Sequence, residues 1–270
     1  MRLEAVVIEE FSKEYAILVE RLEGQVEVID WERYKQGSYR EENLLFIAEH
    51  KKTLEYALEQ NLAVLGFPGK GREDLSRARL IVEGFDDIDL QFCIRQYQRA
   101  HGIPWEILTT ARTYLREQTV EDVQEVYRLY EGEGITDYME PLFPSMEEEI
   151  AYTKEYIRCV YEFYELGLWV VIDQKSGKLI GRAGLTPIDY NGEYQLELGY
   201  VIAKEVQGQG IGEEVCLGVL DYAKKWQPGV KLNCFIDENN LPSINLSRKL
   251  GFSWKEEAER GGKNLQRYCN

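Results

Sequence analysis

The sequence is poor in the residues that bind metals or cross-link secreted proteins. It has two histidines, too few for a metal cluster, and five cysteines that are scattered without CxxC spacing. An odd number of cysteines without a secretion signal indicates reduced thiols rather than a disulfide framework. We therefore expect no metal site and no disulfides. The histidines are His50 and His101, and the cysteines are Cys93, Cys159, Cys216, Cys234 and Cys269.

Long apolar segments are also absent. No run of eighteen apolar residues occurs, so the sequence predicts no transmembrane helix. Four glutamates within the first fourteen residues interrupt any core of a signal peptide. Together with the reduced cysteines, this pattern predicts a cytoplasmic protein.

Basic residues are outnumbered by acidic ones, with 32 lysines and arginines against 48 aspartates and glutamates. The formal net charge is −16, which argues against sequence-independent binding to nucleic acid or to an anionic membrane, because phosphates require a basic face. The charge is compatible with attraction of an amine, but it also serves simply to keep a protein soluble. The hydrophobic fraction of 44% is sufficient for a sizeable core, and 270 residues suit one large domain or two ordinary ones.

The first hundred residues alternate between strand-like and helix-like segments. This order predicts a small Rossmann-like α/β domain with parallel strands. Glycine and proline at 102–104 break the pattern, so we expect one domain over residues 1–108 and a second over 109–270. The predicted helices are Val6–Val19, Lys51–Gln60 and Asp86–Ala100, and the predicted strands are Gln25–Asp30, Leu44–Ala48, Leu62–Phe67 and Arg79–Glu83.

Residues 58–85 of this first part faintly resemble the last half of a haloacid dehalogenase-like domain. The nucleophile motif of that family, DxDx(T/V), does not occur in the sequence, and Asp30 lacks the second aspartate two positions later. We therefore expect a non-catalytic domain that acts as a scaffold or docks a partner, because a fold alone does not confer a function.

The second part has a different order of elements. Thr119 with Asp122, and Ser145 with Glu148, are spaced as capping boxes that begin helices. Asn191-Gly192 predicts a tight hairpin. The predicted order is a strand, two helices, three antiparallel strands, a glycine-rich loop, and then helix, strand and helix. The predicted strands are Thr113–Gln118, Leu168–Ile172, Lys178–Ile188 and Tyr194–Ala203, and the helix after the loop is Glu213–Lys225.

The glycine-rich loop Gln207–Gly212 lies between a strand and a helix. Its glycines allow main-chain amides to converge on an anion, and the start of a helix adds unpaired N–H groups and a positive dipole end. This arrangement suits a pyrophosphate. A dinucleotide fingerprint, GxGxxG, would need a third glycine at the position of Glu213.

Two motifs resemble the GNAT superfamily of N-acetyltransferases. The family pattern (Q/R)xxGx(G/A) is matched by Gln207, Gly210 and Gly212, and residues 240–252 resemble its NxxSxxxxxKLGF segment. The resemblance spans about residues 110–270 and is strongest to the ribosomal-protein N-terminal acetyltransferase branch, through the segment that begins at Glu197. It implies an α/β fold with a mixed, mostly antiparallel sheet flanked by helices.

This resemblance implies an acetyl-CoA-dependent enzyme that moves an acetyl group to a primary amine by direct attack in a ternary complex. The acceptor is a small molecule or a protein N-terminus, and the protein is a monomer or a homodimer. The alternative is a non-catalytic acyl-CoA sensor or partner-docking protein. The residues implied for cofactor binding are Gly199, Tyr200, Val201, Ile202, Gln207, Gly208, Gln209, Gly210, Ile211, Gly212, Asn240 and Ser243.

The candidate catalytic residues are Glu197 and Tyr200. Glu197 precedes the cofactor-binding stretch and could take the proton of the amine directly or through water. The tyrosine that many GNAT relatives use as the acid is replaced by Ser247, so Tyr200 and Ser243 are the possible substitutes. Cys216 is expected to be a packed thiol.

The acceptor side of the site is less well defined by the sequence. Arg182 is expected either to reach a substrate carboxylate or to pair with an acidic side chain. The loop Gly132–Pro144 is the expected source of acceptor selectivity, and the tyrosines of the second helix shape either the acceptor pocket or the core. These tyrosines are Tyr152, Tyr156, Tyr161 and Tyr164.

Overall fold

The computed structural model of the protein describes residues 2–69, 71 and 73–270. The chain divides into two compact units, Met1–Trp105 and Glu106–Asn270. In the described part of the chain, no helix is both long enough and apolar enough to cross a membrane.

The first unit is built on a parallel sheet with the strand order β2-β1-β3-β4. Val6 and Ile8 face the helices α1 and α4, whereas Ala5 and Val7 face α2 and α3. Because successive side chains of a strand point to opposite faces, both faces of this sheet are covered. The elements are β1 (Ala5–Ile8), α1 (Ala16–Leu22), β2 (Glu27–Asp30), α2 (Trp31–Gln36), β3 (Leu44–Ala48), α3 (Lys51–Glu59), β4 (Ala63–Gly66) and α4 (Leu90–Ala100).

Two predictions for the first unit are wrong. The segment predicted as a helix over Val6–Val19 begins with strand β1, whose four residues are all buried. Consecutive β-branched side chains that are buried on both faces are typical of a central parallel strand. Over Arg79–Glu83, a single bridge joins Ile81 to Gly66. To extend this pairing, residue 68 would have to donate the next main-chain hydrogen bond. Residue 68 is a proline and has no N–H, so the pairing ends there.

The second unit is built on a mostly antiparallel sheet with the order β11-β12-β10-β9-β8-β7-β6-β5, in which β9 and β10 are the parallel pair. Helices α8 and α9 pack on one face and α5 packs on the other. The strands are β5 (Glu106–Thr109), β6 (Thr113–Arg116), β7 (Gly167–Asp173), β8 (Leu179–Tyr190), β9 (Glu193–Ile202), β10 (Leu232–Ile236), β11 (Ser253–Arg260) and β12 (Lys263–Cys269), and the helices are α5 (Val123–Tyr130), α6 (Met146–Tyr156), α7 (Glu162–Tyr164), α8 (Ile211–Trp226) and α9 (Leu241–Lys249). This α/β architecture is the predicted one.

The capping box at Thr119 and the hairpin at Asn191-Gly192 are confirmed, and Ser145 is confirmed as the N-cap of its helix. The amide of Thr119 donates to Asp122 Oδ2 at 2.7 Å within a capping box, and the hydroxyl of Ser145 accepts from the Glu148 amide at 3.2 Å. Asn191 and Gly192 have φ values of 56° and 78°, as the predicted tight hairpin requires. The helix that follows Ser145 differs from the prediction, because a π-helical segment separates α6 from α7.

Candidate active site

The parallel strands β9 and β10 stay together only briefly. Their register joins Leu196 to Leu232 and Glu197 to Asn233, and then the two strands diverge. β9 continues to pair with β8 as far as Ile202, so its other edge has no strand partner among the described residues from Leu198 onward. Alternate N–H and C=O groups of Gly199–Ile202 therefore point into the gap, where they can bind a ligand.

A buried polar cluster holds the two strands together where they still pair. The side-chain amide of Asn233 donates to Gln195 Oε1 at 2.9 Å and to the Leu196 carbonyl at 3.2 Å. Arg267 Nε in turn donates to Asn233 Oδ1 at 2.9 Å. Because Asn233 is fully buried and satisfied on both sides, it fixes the point from which β9 and β10 separate. No signal in the sequence indicated this role.

The glycine loop lies after the open end of β9. Gly208 and Gly210 have φ values of 72° and 78°, in the left-handed region that favours glycine. A Cβ at Gly208 would meet nothing within 4 Å, so the main chain there is open to a ligand. Gly210 caps α8 without a side-chain hydrogen bond, and the amides of the first turn have no helical acceptor. This arrangement fits an anionic group such as a pyrophosphate.

The side chains of the loop serve its own shape. Gln207 Nε2 donates to the Ile202 carbonyl at 2.8 Å, and Gln209 Nε2 donates to the Glu205 carbonyl at 3.1 Å. Similarly, Asn240 caps α9 by accepting from the Ser243 amide at 3.2 Å. The side-chain amides of these three residues are therefore engaged within the loop and the helix cap.

An arginine that the sequence motifs did not indicate lies at the loop. Arg112 Nε forms an ion pair with Glu214 at 2.6 Å, and Nη1 donates to the Gln209 carbonyl at 2.9 Å. Its Nη2 lies 3.6 Å from the position that a Cβ on Gly210 would occupy. The other acidic residue of the first turn, Glu213, pairs with Lys249 at 3.3 Å. The negative charges of Glu213 and Glu214 beside the loop are thus each balanced by a basic side chain.

Glu197 lies at the last paired position of β9, where the gap opens. Its carboxylate accepts a hydrogen bond from Arg260 of β11, and 26% of its side chain is exposed. The guanidinium of Arg260 also stacks 4.3 Å from the ring centroid of Phe235. Glu197 is therefore positioned by a partner that is distant in sequence, and it remains accessible to a ligand.

Tyr200 lies on the opposite face of the sheet from Glu197, because the two residues are three positions apart along one strand. It packs in the core formed with α8, and its hydroxyl donates to the Ser243 carbonyl at 3.3 Å. Burial raises the pKa of Tyr200, so the hydroxyl keeps its proton at neutral pH. The hydroxyl of Ser247 donates to the Ile244 carbonyl within its own helix at 2.9 Å.

The remaining predicted side chains divide between core and surface. Tyr161 is fully buried, and Tyr156 accepts a hydrogen bond from the Leu168 amide at 2.8 Å. Tyr152 is 47% exposed, close to Phe143 of the preceding loop. Burial raises the pKa of the Cys216 thiol, so it packs as a neutral group and not as a nucleophile.

The second unit matches a known protein family. The family described as "Acetyltransferase (GNAT) domain" matches residues 112–253, which is more than half of the 270 residues. The chain therefore belongs to the GNAT acetyltransferase family. The matched segment includes the glycine loop and the point at which β9 and β10 diverge.

Individual relatives are more distant. The chain is 27% identical over 105 residues to the uncharacterized protein YkkB of Bacillus subtilis, a match that spans 39% of this chain and 61% of YkkB. It is 24% identical over 151 residues to the uncharacterized N-acetyltransferase p20 of Bacillus licheniformis, covering 54% of this chain and 82% of p20.

A solved structure agrees with the fold of the second unit. A ribosomal L7/L12 alpha-N-protein acetyltransferase in complex with coenzyme A superimposes with a TM-score of 0.53 at 16% identity. The superposition covers 62% of this chain and 97% of that one. At this level of identity, the likeness describes the fold alone.

Proposed function

We propose that the second unit transfers an acetyl group from acetyl-CoA to a primary amine, by direct attack within a ternary complex. The observation that carries this proposal is the gap between β9 and β10, which opens at Glu197 and leads to the glycine loop at the start of α8. The main chain of Gly199–Ile202 would bind the pantetheine arm. The loop Gln207–Gly212 would bind the pyrophosphate, with Asn240 and Ser243 flanking the cofactor.

The proposed chemistry uses both faces of β9. Glu197 takes the proton of the attacking amine directly or through water. A main-chain N–H at the open edge of β9 stabilises the charge that develops on the thioester oxygen. Tyr200, whose phenol is protonated at neutral pH, supplies the proton for the leaving thiolate. In this arrangement the base and the acid lie on opposite sides of the edge along which the cofactor binds.

The acceptor in this proposal is a primary amine, of a small molecule or of a protein N-terminus. The likeness to a ribosomal-protein acetyltransferase is one reason to include protein N-termini in an acceptor screen. The family match does not favour the alternative of a non-catalytic acyl-CoA sensor. A screen of amines and peptides for release of free CoA thiol tests the acceptor class.

For the first unit we propose a non-catalytic role as a scaffold or a partner-docking domain. The support is its sequence, which lacks the DxDx(T/V) nucleophile motif of the family that it faintly resembles. That resemblance to a haloacid dehalogenase-like domain stays a prediction.

Acetyl-CoA should bind with one equivalent per chain and should raise the thermal midpoint of unfolding. A ligand at 100 times its Kd stabilises the native state by about 2.7 kcal/mol, which corresponds to roughly 5–10 °C for a chain of this size. Titration calorimetry and thermal melts measure both effects. If no acyl-CoA binds, the proposed function is wrong.

Replacing Arg112 with glutamine should weaken acetyl-CoA binding about 10- to 100-fold, the scale of one lost hydrogen bond to a charged group. The reason is that its guanidinium lies beside Gly210, where the pyrophosphate would bind. Calorimetry at low and high salt measures the loss, which should be smaller at high salt.

Two control variants separate a phosphate contact from a structural role of Arg112. Glu214→Gln removes the ion pair but keeps the guanidinium, and it should leave the affinity within about threefold if the contact is with phosphate. Arg128→Gln removes an exposed ion pair on α5 and should have no effect. Equal losses in Arg112→Gln and Glu214→Gln would contradict the phosphate contact.

A further inference from the structure

Arg182 of β8 is a buried cation without a carboxylate partner. It is 8% exposed, and its Nη1 donates to the Tyr130 hydroxyl at the long distance of 3.4 Å. Its Nε is buried with no hydrogen-bond partner. Within the described ranges, no carboxylate lies at ion-pair distance from this guanidinium. A buried charge of this kind is unfavourable unless something else binds it.

Two other arginines of the same unit have guanidinium groups with several hydrogen-bond partners. Arg116 binds Asp122 through two hydrogen bonds of 2.7 Å each. Arg267 donates to Asn233, Gln195 and Glu256. Arg182 therefore differs from them in having one long hydrogen bond to a hydroxyl and no carboxylate or amide partner, although it is at least as buried. The sequence left open whether Arg182 pairs with an acid, and the structure provides no such acid.

The position of Arg182 is on the acceptor side of the proposed site. Arg182 is paired with Val201 of β9, and directly opposed residues of an antiparallel pair share one face of the sheet. Glu197 and Gly199 are on that face too, because the side-chain period of a strand is two. Arg182 thus shares a face with the candidate base and with the open edge of β9.

The surroundings of Arg182 are aromatic and reach the surface. Tyr152 and Tyr156 of α6 lie close enough to Arg182 to interact with it electrostatically. Tyr152 is 47% exposed, so the cluster extends from the buried guanidinium to solvent. Glu149 and Glu140 lie close to Tyr152, which disfavours a doubly charged phosphate more than a singly charged carboxylate.

We propose that Arg182 binds the carboxylate of the acetyl acceptor, so that the acceptor is a small molecule of the amino-acid class, with a primary amine and a carboxylate. The planar guanidinium presents two parallel donors that match a carboxylate, and tyrosine hydroxyls add further donors. The amine end then extends along the shared face toward Glu197 and the thioester. This inference rests on the proposed function and specifies its substrate class.

The first experiment compares acceptors that differ only in the carboxylate. Amino acids from glycine to 6-aminohexanoate are tested against their amides and the matched alkylamines, with release of CoA thiol as the readout. At least one amino acid should exceed its amide about 100-fold in kcat/KM, the scale of leaving a buried charge unpaired. In Arg182→Gln the preference for the amino acid should disappear because its KM rises, while the affinity for acetyl-CoA stays unchanged. Arg182→Lys should retain part of the preference.

A second experiment reads the folded state without substrate. Arg182→Met should leave the thermal midpoint unchanged or raise it, since it leaves no charged partner unpaired and removes only the long hydrogen bond to Tyr130. The matched variant Arg116→Met leaves Asp122 without its bidentate partner and should lower the midpoint by roughly 10 °C. A comparable fall in Arg182→Met would mean that Arg182 has a structural partner, and it would overturn the inference.

The outcomes also separate this inference from the function on which it rests. CoA release with alkylamines or peptides, but with no preference for carboxylates, overturns the role of Arg182 and leaves the acetyltransferase proposal intact. No release with any carboxylate-bearing amine overturns the inference as well. Failure of acetyl-CoA itself to bind overturns the proposed function.

Discussion

Replacing Glu197 with glutamine should lower the rate of acetyl transfer about 100-fold or more, the usual scale for loss of a general base. The substitution keeps the shape of the side chain and removes its ability to take a proton. Acetyl-CoA affinity should hardly change, because the proposed cofactor contacts are main-chain groups of β9 and the loop. Steady-state kinetics and calorimetry on the same preparation measure the two effects.

The pH dependence makes this test sharper. An alkyl amine has a pKa near 10, so at neutral pH nearly all of it carries the proton that a base has to remove. The amine becomes neutral as the pH approaches its pKa, and less assistance is needed. The loss in Glu197→Gln should therefore be largest near pH 7 and should shrink toward pH 10.

Glu193→Gln is the matched control for Glu197→Gln. Glu193 is on the same strand, four residues earlier, and it pairs with Lys231 as Glu197 pairs with Arg260. Its replacement should leave the rate unchanged. A loss confined to acetyl-CoA binding in Glu197→Gln would mean that Glu197 is structural, acting through its pair with Arg260. An unchanged rate at every pH would reject Glu197 as the base.

Replacing Gly210 with aspartate should abolish acetyl-CoA binding while the fold is retained. A carboxylate at this position would bring like charge against the pyrophosphate, at the point where the amides of α8 would otherwise bind it. Space does not limit this substitution, since the nearest atom to a Cβ at Gly210 is Arg112 Nη2, at an ordinary contact distance of 3.6 Å. The effect should be one of charge and backbone strain.

Two variants separate charge from strain at Gly210. Gly192 has the same φ value of 78° in a hairpin turn, and a Cβ at Gly192 would meet no atom within 4 Å. Gly192→Asp therefore introduces the same substitution outside the glycine loop. It should lower stability slightly and leave binding intact. Gly210→Ala adds strain without charge and should weaken binding much less than Gly210→Asp. Near-normal affinity in Gly210→Asp would show that the loop is only a turn.

Features that depend on neighbouring residues could be predicted from the sequence. The capping box at Thr119, the N-cap at Ser145 and the hairpin at Asn191-Gly192 follow from hydrogen bonds and φ values within four residues. The glycine loop was recognisable for the same reason, because its conformation depends on its own glycines. These signals, together with the order of elements, were sufficient to predict the GNAT fold of the second unit.

The errors occurred where distant residues decide the structure. The segment Val6–Ile8 has apolar residues that fit either a helix or a strand, and its burial on both faces of a sheet selects the strand. The segment around Ile81 has a strand-like composition, but the ladder that it begins with Gly66 ends at Pro68, which has no N–H to donate. In both cases, tertiary packing overrides local preference.

The candidate site shows the same division between local and non-local causes. The sequence by itself determined the fold class, the loop that fits a pyrophosphate and the identity of Glu197 as a candidate base. Only the tertiary structure decided that Glu197 pairs with Arg260, that Arg112 lies beside Gly210, and that Arg182 is buried without an acid. The physical reason is that strand separation, side-chain pairing and burial depend on residues that are far apart in the chain and meet only after it has folded.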